Sequence, residues 1–273
     1  HLYFLDDHFF GNPRFTTELL NGMVGMKRVW QAGGTVRSVL TPGLMELAAK
    51  AGLKSLFIGF ETLSEADLKD QGKHHNTYHD YAEAIARLRD VGVMVNASFV
   101  FGMDGDDESV FGRTVEWAVE QGVETATFHI LTPYPGTKLH ERLAAAGRIT
   151  TTDWDLYDTR HAVYRPAGMS AQSLEDGYWK AYREFYRWKA IFTGAAAKND
   201  LRGKLRHLAI AGGWKKAEPL WDMIIRAKRL RSVLPMLENT LGWGTGRTAD
   251  GIAAKAAPTV SDLEIRPTTA GRG

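Results

Sequence analysis

The chain has 273 residues, a formal net charge of +2 at pH 7 and no cysteine. The lack of cysteine excludes disulfides, thiolate zinc sites, cysteine nucleophiles and an iron–sulfur cluster held by this chain's own thiolates. No secretory signal is visible, and the longest apolar run, Val91 to Met103, is too short to span a bilayer. We therefore expect a cytoplasmic globular protein.

Strand-like and helix-like segments alternate through the first half of the chain. The runs with strand character are Leu2–Leu5, Thr35–Leu40, Ser55–Phe60, Met94–Phe101 and Thr125–Leu131. Three of the intervening helical segments end in a glycine, namely Gly52, Gly92 and Gly122, with a strand directly after it. Repeated units of this kind predict right-handed crossovers and a parallel sheet. We predict an α/β fold in which residues 1–150 form a partial (β/α) barrel.

The second half of the chain predicts helices without intervening strands. Residues 151–240 are expected to form a helical C-terminal extension, and residues 241–273 a disordered tail rich in Gly, Ala and Thr. The predicted helices are Ala171–Phe192, Asp200–Ala211 and Glu218–Leu237. The first of them is crowded with aromatic residues, which favours packing against the barrel over a role in lining a substrate site.

Polar residues or glycines follow four of the predicted strands. They are Asp6 and Asp7, Glu61, the acidic turn from Gly102 to Asp107, and the segment from Thr132 to Thr137. The carboxyl ends of parallel strands meet at one rim, so carboxylates there could hold an ammonium group and a diol or transfer protons.

Each of these features also has a simpler interpretation. Asp6 and Asp7 could cap a helix, and the turn from Asp104 to Glu108 is more typical of a solvated helix start than of a calcium loop. His75 and His79 lie in a polar segment, and we assign no metal site to them.

Four motifs in order resemble strands two to six of the radical S-adenosylmethionine (SAM) superfamily, and most of all its cobalamin-binding branch. They are Phe4-Leu5-Asp6-Asp7-His8-Phe9, Gly59-Phe60-Glu61-Thr62, Phe99-Val100-Phe101-Gly102-Met103-Asp104-Gly105-Asp106 and Thr132-Pro133-Tyr134-Pro135-Gly136-Thr137-Lys138-Leu139. Each motif is weak alone, but the ordered set is specific. It covers about residues 1–150 well and the helical part more loosely.

The resemblance implies an enzyme that cleaves SAM at a [4Fe-4S] cluster to a 5′-deoxyadenosyl radical. By this resemblance, Asp6 and Asp7 bind the methionine amino group and Glu61 contacts polar groups of SAM. Gly102, with Thr132, Pro133 and Tyr134, would hold the adenine. The family's Cys-x-x-x-Cys-x-x-Cys loop is absent from this sequence, so no cluster ligand is carried over.

We interpret the chain as an N-terminally truncated radical SAM enzyme that is inactive alone. The intact protein would carry the cluster and an upstream cobalamin domain. It would methylate, cyclise or rearrange a small organic substrate. An alternative is a non-catalytic binding or scaffold protein derived from such a barrel; the residues upstream of His1 discriminate between the two. A cofactor-free enzyme using Glu61 and the Asp pair as acid and base ranks lowest.

The helical part is strongly basic. Residues 180–231 contain 14 Lys and Arg against 4 Asp and Glu. A basic and aromatic helical region can lie on an anionic membrane surface. It could equally be a solvated bundle face or meet an acidic partner, and no nucleic acid is expected because no binding module is recognisable. Liposome flotation that is insensitive to anionic lipid content would contradict the membrane hypothesis.

Overall fold

Five parallel strands form one curled sheet in which each strand pairs with the next along the chain. The structure is a computed structural model that describes residues 1–6, 8–64 and 78–226, with the backbone alone for 78, 79 and 217–226. The strands are β1 (Leu2–Tyr3), β2 (Trp30–Gly34), β3 (Leu53–Glu61), β4 (Met94–Phe101) and β5 (Thr125–Ile130). This sheet confirms the predicted partial barrel of the α/β class.

The predicted strand Thr35–Leu40 is wrong, because these residues form a helix. The strand lies just before it, at Trp30–Gly34. The Thr35 side chain accepts from the backbone N–H of Ser38, and the Ser38 hydroxyl accepts from that of Thr35. This reciprocal capping stabilises the first helical turn and outweighs the β-branched character of the run.

Nine helices accompany the sheet in the described part of the chain. They are α1 (Pro13–Met23), α2 (Val36–Leu40), α3 (Leu44–Lys50), α4 (Tyr78–Asp90), α5 (Val110–Glu120), α6 (Lys138–Ala145), α7 (Ala171–Phe185), α8 (Trp188–Ala196) and α9 (Leu201–Arg226), with a short 3₁₀ turn at Trp154–Leu156. Gly52, Gly92 and Gly122 have φ of +106°, +72° and +69°, as helix-ending glycines should.

The helices of the second half differ from their predicted boundaries. The predicted helix Ala171–Phe192 is two helices, since α7 ends at Phe185 and α8 begins at Trp188. The two helices predicted between Asp200 and Leu237 are one continuous helix as far as Arg226. Residues His1–Lys216 form one compact unit and Ala217–Gly273 a second. The predicted tail, 241–273, lies outside the described residues, and the predicted division into domains stays a prediction.

Aromatic side chains join the sheet to the helices on one of its faces. Phe60, Phe99 and Phe128 stack across β3, β4 and β5 with ring centroids 5.7 and 5.9 Å apart. Trp117 of α5 packs edge-on against Phe60 and Phe99, and Phe185 of α7 packs against Phe128. All five side chains are almost fully buried. This face is therefore the hydrophobic core.

Tyrosine hydroxyls from α7 and its C-cap satisfy the backbone of β5. The Tyr186 hydroxyl lies 3.1 Å from both the N–H nitrogen and the carbonyl oxygen of Ala126. The Tyr182 hydroxyl lies 3.1 Å from the N–H nitrogen of Phe128. β5 is the last strand of the sheet, so its outer backbone groups have no strand beside them. Unpaired backbone groups at a buried edge are costly, and these hydroxyls remove that cost.

A buried ion-pair network ties α9 and the end of α8 to the sheet, near the start of β4 and β5. Glu124, 1% exposed, accepts from the Lys198 ammonium at 2.7 Å and from the Val95 N–H at 3.1 Å. The Arg206 guanidinium lies 3.6 Å from the same carboxylate and donates to the Gly92 carbonyl at 2.7 Å. A buried carboxylate needs such pairing, because an isolated buried charge is strongly destabilising.

His207 lies in this network and is held uncharged by burial. It is 2% exposed, and its Nδ1 has no hydrogen-bond partner among the described residues. Burial lowers the pKa of His207 from 6.5 to about 4; Glu124 opposes this shift, and the Lys198 and Arg206 charges add to it.

We predict acid destabilisation that depends on His207. Between pH 6.5 and 4 the unfolded chain binds a proton at His207 and the folded chain does not, so the free energy of unfolding falls as the pH falls. At about 1.4 kcal/mol per pKa unit, the loss is about 3 kcal/mol. Urea unfolding at several pH values measures it. His207→Asn should remove this part of the slope, and His140→Asn, at a partly exposed position, should retain it. An unchanged slope in His207→Asn contradicts the prediction.

Candidate functional site

The face of the sheet opposite the aromatic core is polar. It carries the alternate residues of β2 to β5, most of them partly exposed, namely Gln31, Phe57, Gly59, Glu61, Asn96, Val100, Thr125, Thr127 and His129, with the buried Ser98 among them. The strand register aligns Gly59 with Ser98 and Thr127, and Val100 with His129. The Asn96 side-chain oxygen is buried and has no hydrogen-bond partner among the described residues. A polar, partly open face of this kind can hold a ligand. We call it the open face.

Glu61 ends β3 in an unusual backbone conformation. Its φ is +63°, a left-handed value that costs a non-glycine residue about 1–2 kcal/mol. A Cβ built on Gly59 would lie 2.5 Å from the Glu61 Oε1, so the glycine makes room for the carboxylate to fold back over the strand. Strained residues of this type cluster at functional sites. The structure thus places the predicted residue Glu61 on the open face.

His129 lies on the open face of β5, within electrostatic reach of Glu61. Burial lowers the pKa of the His129 imidazole, the Glu61 carboxylate raises it, and the Arg160 guanidinium lowers it. The His129 Nδ1 lies 3.2 Å from the Thr159 hydroxyl. Thr159 also has a left-handed φ, of +65°. Glu61, His129 and Thr159 therefore form a cluster that was not predicted as a site.

The alternation along β5 could have identified His129. Thr125, Thr127 and His129 alternate with the buried Ala126, Phe128 and Ile130, the period-2 pattern of a strand with one polar face. Thr159 and Arg160 could not have been found this way, because they come from an irregular segment whose position depends on the tertiary fold.

The predicted residues near the start of the chain are Asp6 and Asp7. Asp6 follows β1 and is exposed. Asp7 lies outside the described residues. The role of both in binding SAM stays a prediction.

The turn after β4 is a closely packed structural element around Gly102. The buried Asp106 carboxylate accepts from the N–H groups of Gly102 and Met103, both at 2.9 Å, and the Tyr164 hydroxyl donates to the Gly102 carbonyl. Gly102 has φ +97°, and a Cβ there would collide with Tyr164 and Leu174. Glycine is thus required at 102 by protein packing, and the assignment of Gly102 to adenine binding stays a prediction.

The acidic turn after Gly102 uses its carboxylates within the protein. Asp104 pairs with Arg142 at 2.8 Å and Arg148 at 2.7 Å, and its pKa is lowered, first of all by the Arg148 hydrogen bond. Asp107 accepts from the Ser109 N–H at 2.9 Å just before α5. Among the described residues, no group of three or more His, Asp or Glu side chains could hold a metal ion.

The segment Thr132–Tyr134 follows β5 and turns into α6. Thr132 and Pro133 are buried, and the Thr132 hydroxyl donates to the Ile130 carbonyl at 2.9 Å. Tyr134 is 45% exposed, 6.5 Å from the Tyr157 ring. The strand end thus presents one exposed aromatic ring beside buried neighbours. Its contact with adenine stays a prediction.

The basic helical part has exposed aromatic side chains. Trp188 and Phe192 of α8 are 47% and 59% exposed, with ring centroids 6.1 Å apart. Across the residues that the structure describes, no helix is long and apolar enough to cross a bilayer. Contact of 180–231 with a membrane surface stays a prediction.

We predict that Glu61→Gln lowers the pKa of His129 further. The negative charge of Glu61 stabilises the imidazolium, and the amide cannot, so the imidazole should lose its proton at a lower pH than in the parent chain. Nitrogen-detected NMR titration of the histidine side chains measures this pKa. Glu141→Gln, on α6, is the matched control and should leave the titration unchanged. A His129 pKa that Glu61→Gln leaves in place would mean that the two side chains are not neighbours.

Comparison with known proteins finds sequence relatives whose names are those of methyltransferases, methylases and cyclases. The chain is 32% identical over 188 residues to the bacteriochlorophyllide d C-12(1)-methyltransferase of Chlorobaculum tepidum, covering 69% of this chain and 41% of that one. It is 28% identical over 149 residues to the anaerobic magnesium-protoporphyrin IX monomethyl ester cyclase of Cereibacter sphaeroides, covering 55% and 24%. The hopanoid C-2 methylase of Rhodopseudomonas palustris is 26% identical over 158 residues, covering 56% and 30%.

Solved structures give a weaker likeness. The radical S-adenosylmethionine methyltransferase TsrM from Kitasatospora setae superimposes with a TM-score of 0.46 and 17% identity, covering 55% of this chain and 30% of that one. No family model matches the chain.

The sequence matches span only part of each relative. This chain covers 41%, 24% and 30% of the three named above. By their names, these relatives are a methyltransferase, a cyclase and a methylase. Activities of this kind are among those that the resemblance to the radical SAM superfamily implies for this chain.

Proposed function

We propose that this chain is the SAM-binding and substrate-binding part of a radical SAM enzyme that methylates or cyclises a polycyclic, largely apolar substrate. The observation that carries the proposal is the 32% identity over 188 residues to a bacteriochlorophyllide methyltransferase. The substrates named for the three relatives are two tetrapyrroles and a hopanoid, all large and mostly apolar ring systems. The open face between β3 and β5 is where such a substrate and SAM would meet.

The residues of this chain do not fit the iron–sulfur cluster. The family holds the cluster through three thiolates, and this sequence contains no cysteine. We therefore assign no cluster ligand, and we expect the chain alone to be inactive. Cobalamin would be bound by an upstream domain of the intact protein, and no residue described here is assigned to it.

Residues of the open face do fit SAM. SAM carries an ammonium group and a ribose diol that can donate hydrogen bonds to a carboxylate, and a sulfonium whose positive charge a carboxylate stabilises. Glu61 supplies one at the end of β3, and Gly59 leaves the strand beside it without a side chain. When bound and cleaved, SAM supplies the 5′-deoxyadenosyl radical. The role of Glu61 is to bind and orient the polar groups of SAM at the rim.

The remaining predicted contacts follow the other strands in sequence. Asp6 and Asp7 follow β1, and we assign them to the methionine amino group by resemblance. Gly102 and the segment Thr132–Tyr134 follow β4 and β5, and we assign the adenine to them. Tyr134 is the one of these with an exposed ring, which suits stacking on a flat base.

A non-catalytic binding protein remains the second candidate. The observation in its favour is the complete lack of cysteine, which fits a barrel that has lost its cluster as well as it fits the leading proposal. Cluster reconstitution on a longer polypeptide that includes the coding sequence upstream of His1 tests it. A cysteine-containing upstream segment that binds iron and sulfide would rule it out.

SAM binding tests the site assignment. We expect Glu61→Gln to weaken SAM binding by the chain about 10-fold to 100-fold, since a hydrogen bond to a charged group contributes about 1.5–3 kcal/mol. Asp7→Asn should also weaken binding. Isothermal titration calorimetry gives the affinities, and Glu141→Gln on α6 is the control for a carboxylate away from the open face. Unchanged SAM affinity in Glu61→Gln and Asp7→Asn would contradict the assignment.

A further inference from the structure

A single histidine lies on the open face with one of its two ring nitrogens already held by the protein. His129 is half-buried, in register with Val100 of β4. Its Nδ1 is 3.2 Å from the Thr159 hydroxyl. The Nε2 has no hydrogen-bond partner among the described residues. It is also not one of the fully buried polar atoms without a partner, so it is not fully buried. The Nε2 is therefore accessible from the open face.

Hydrogen bonds hold the loop that carries Thr159 in place. The Ile130 N–H donates to the Thr159 carbonyl at 2.7 Å, which attaches the loop to the end of β5. The Asp158 carboxylate accepts from the N–H groups of Arg160 and His161 at 2.9 and 3.2 Å, which holds the turn that follows. Thr159 keeps its left-handed φ of +65° within this turn. These hydrogen bonds thus maintain the strained backbone conformation of Thr159, whose hydroxyl contacts His129.

This arrangement is the one that metal-binding histidines use. Such a histidine donates its other ring N–H to an oxygen, which fixes the tautomer and leaves a lone pair on the nitrogen that faces the metal. With the ring proton on Nδ1, the Thr159 hydroxyl would accept it and Nε2 would carry the lone pair.

The kind of metal follows from how few ligands His129 has beside it. No group of three or more His, Asp or Glu side chains that could hold a metal ion exists among the described residues, so His129 would suit a metal that brings most of its ligands with it. A metal that already has four in-plane nitrogen donors needs only one axial donor. Phe57, 36% exposed, and Val100 lie on the same face and offer apolar surface to a flat macrocycle.

We propose that the His129 Nε2 is an axial ligand to the metal of a metallated tetrapyrrole substrate, with Thr159 as its positioning residue. The inference rests on the proposed function and narrows its substrate class from polycyclic apolar compounds to tetrapyrroles that contain a metal. Metal coordination would fix the macrocycle against β5, while Glu61 faces SAM from β3.

The test compares zinc protoporphyrin IX with metal-free protoporphyrin IX, using the full 273-residue chain. Zinc accepts an imidazole ligand readily and adds a fifth ligand in this macrocycle. Absorbance and fluorescence titrations should show tighter binding of the zinc macrocycle, by about 10-fold or more, with the spectral shift of axial coordination. His129→Gln should abolish this preference and leave binding of the metal-free macrocycle unchanged. Thr159→Val should weaken zinc macrocycle binding about 10-fold.

Two controls keep a folding defect separate from loss of the ligand. His140→Gln, at a partly exposed position on α6, should bind both macrocycles like the parent chain. His129→Ala should recover zinc macrocycle binding when free imidazole is added, since the small side chain leaves room for it. Failure of imidazole to restore binding in a folded His129→Ala protein would overturn the proposal.

Other outcomes also overturn it. Equal weakening of both macrocycles by His129→Gln would mean that His129 contacts the ring edge and not the metal. An unchanged zinc preference in His129→Gln would mean that the metal is bound elsewhere. SAM affinity is measured on the same variants. If the chain binds SAM through Glu61 but does not prefer the zinc macrocycle, the axial-ligand proposal is wrong and the proposed function still stands.

Discussion

Stacked aromatic rings bind the sheet to its helices, and they do so on one face only. Phe60, Phe99 and Phe128 form this contact from neighbouring strands, with Trp117 and Phe185 opposite them. Because the apolar side chains are directed to this face, the alternate residues of β3, β4 and β5 must be compatible with partial exposure. The strand period of two therefore creates the polar open face as the counterpart of the core.

The C-terminal helices are part of this arrangement. Tyr182 and Tyr186 place their hydroxyls on the backbone of β5, where a sixth strand would otherwise have to pair. Glu124 and Lys198 connect the far end of β5 to the end of α8. Both contacts fix β5 relative to the helices, and β5 carries His129. The helical segment thus contributes to the site without reaching it.

The sequence predicted the regular part of the fold because the hydrophobic period and the helix-ending glycines agree there. β4 was predicted with its observed bounds, and Gly52, Gly92 and Gly122 end their helices as expected. β2 was misplaced because the run from Thr35 looks like a strand by composition, whereas two local hydrogen bonds of Thr35 and Ser38 make it a helix. The continuity of α9 could not be predicted either, since Gly212 and Gly213 resemble a break.

Site prediction followed the same division between local and long-range information. Glu61 could be predicted from its position at a strand end. The packing of Gly102 against Tyr164 and Leu174 could not, because those residues are distant in sequence and their approach depends on the tertiary fold. The Thr159–His129 contact has the same origin. The sequence pattern predicted which residues follow the strands, and tertiary packing decides which of these residues lie on the open face.

The left-handed backbone of Glu61 has a consequence for how this position can vary. Glycine would adopt φ of +63° without strain, so selection for thermal stability alone would favour Gly at 61. A carboxylate at this position therefore carries a strain that an interaction of its side chain must offset. In a collection of natural variants, replacement of the carboxylate by Gly or Asn would identify lineages in which that interaction is no longer needed.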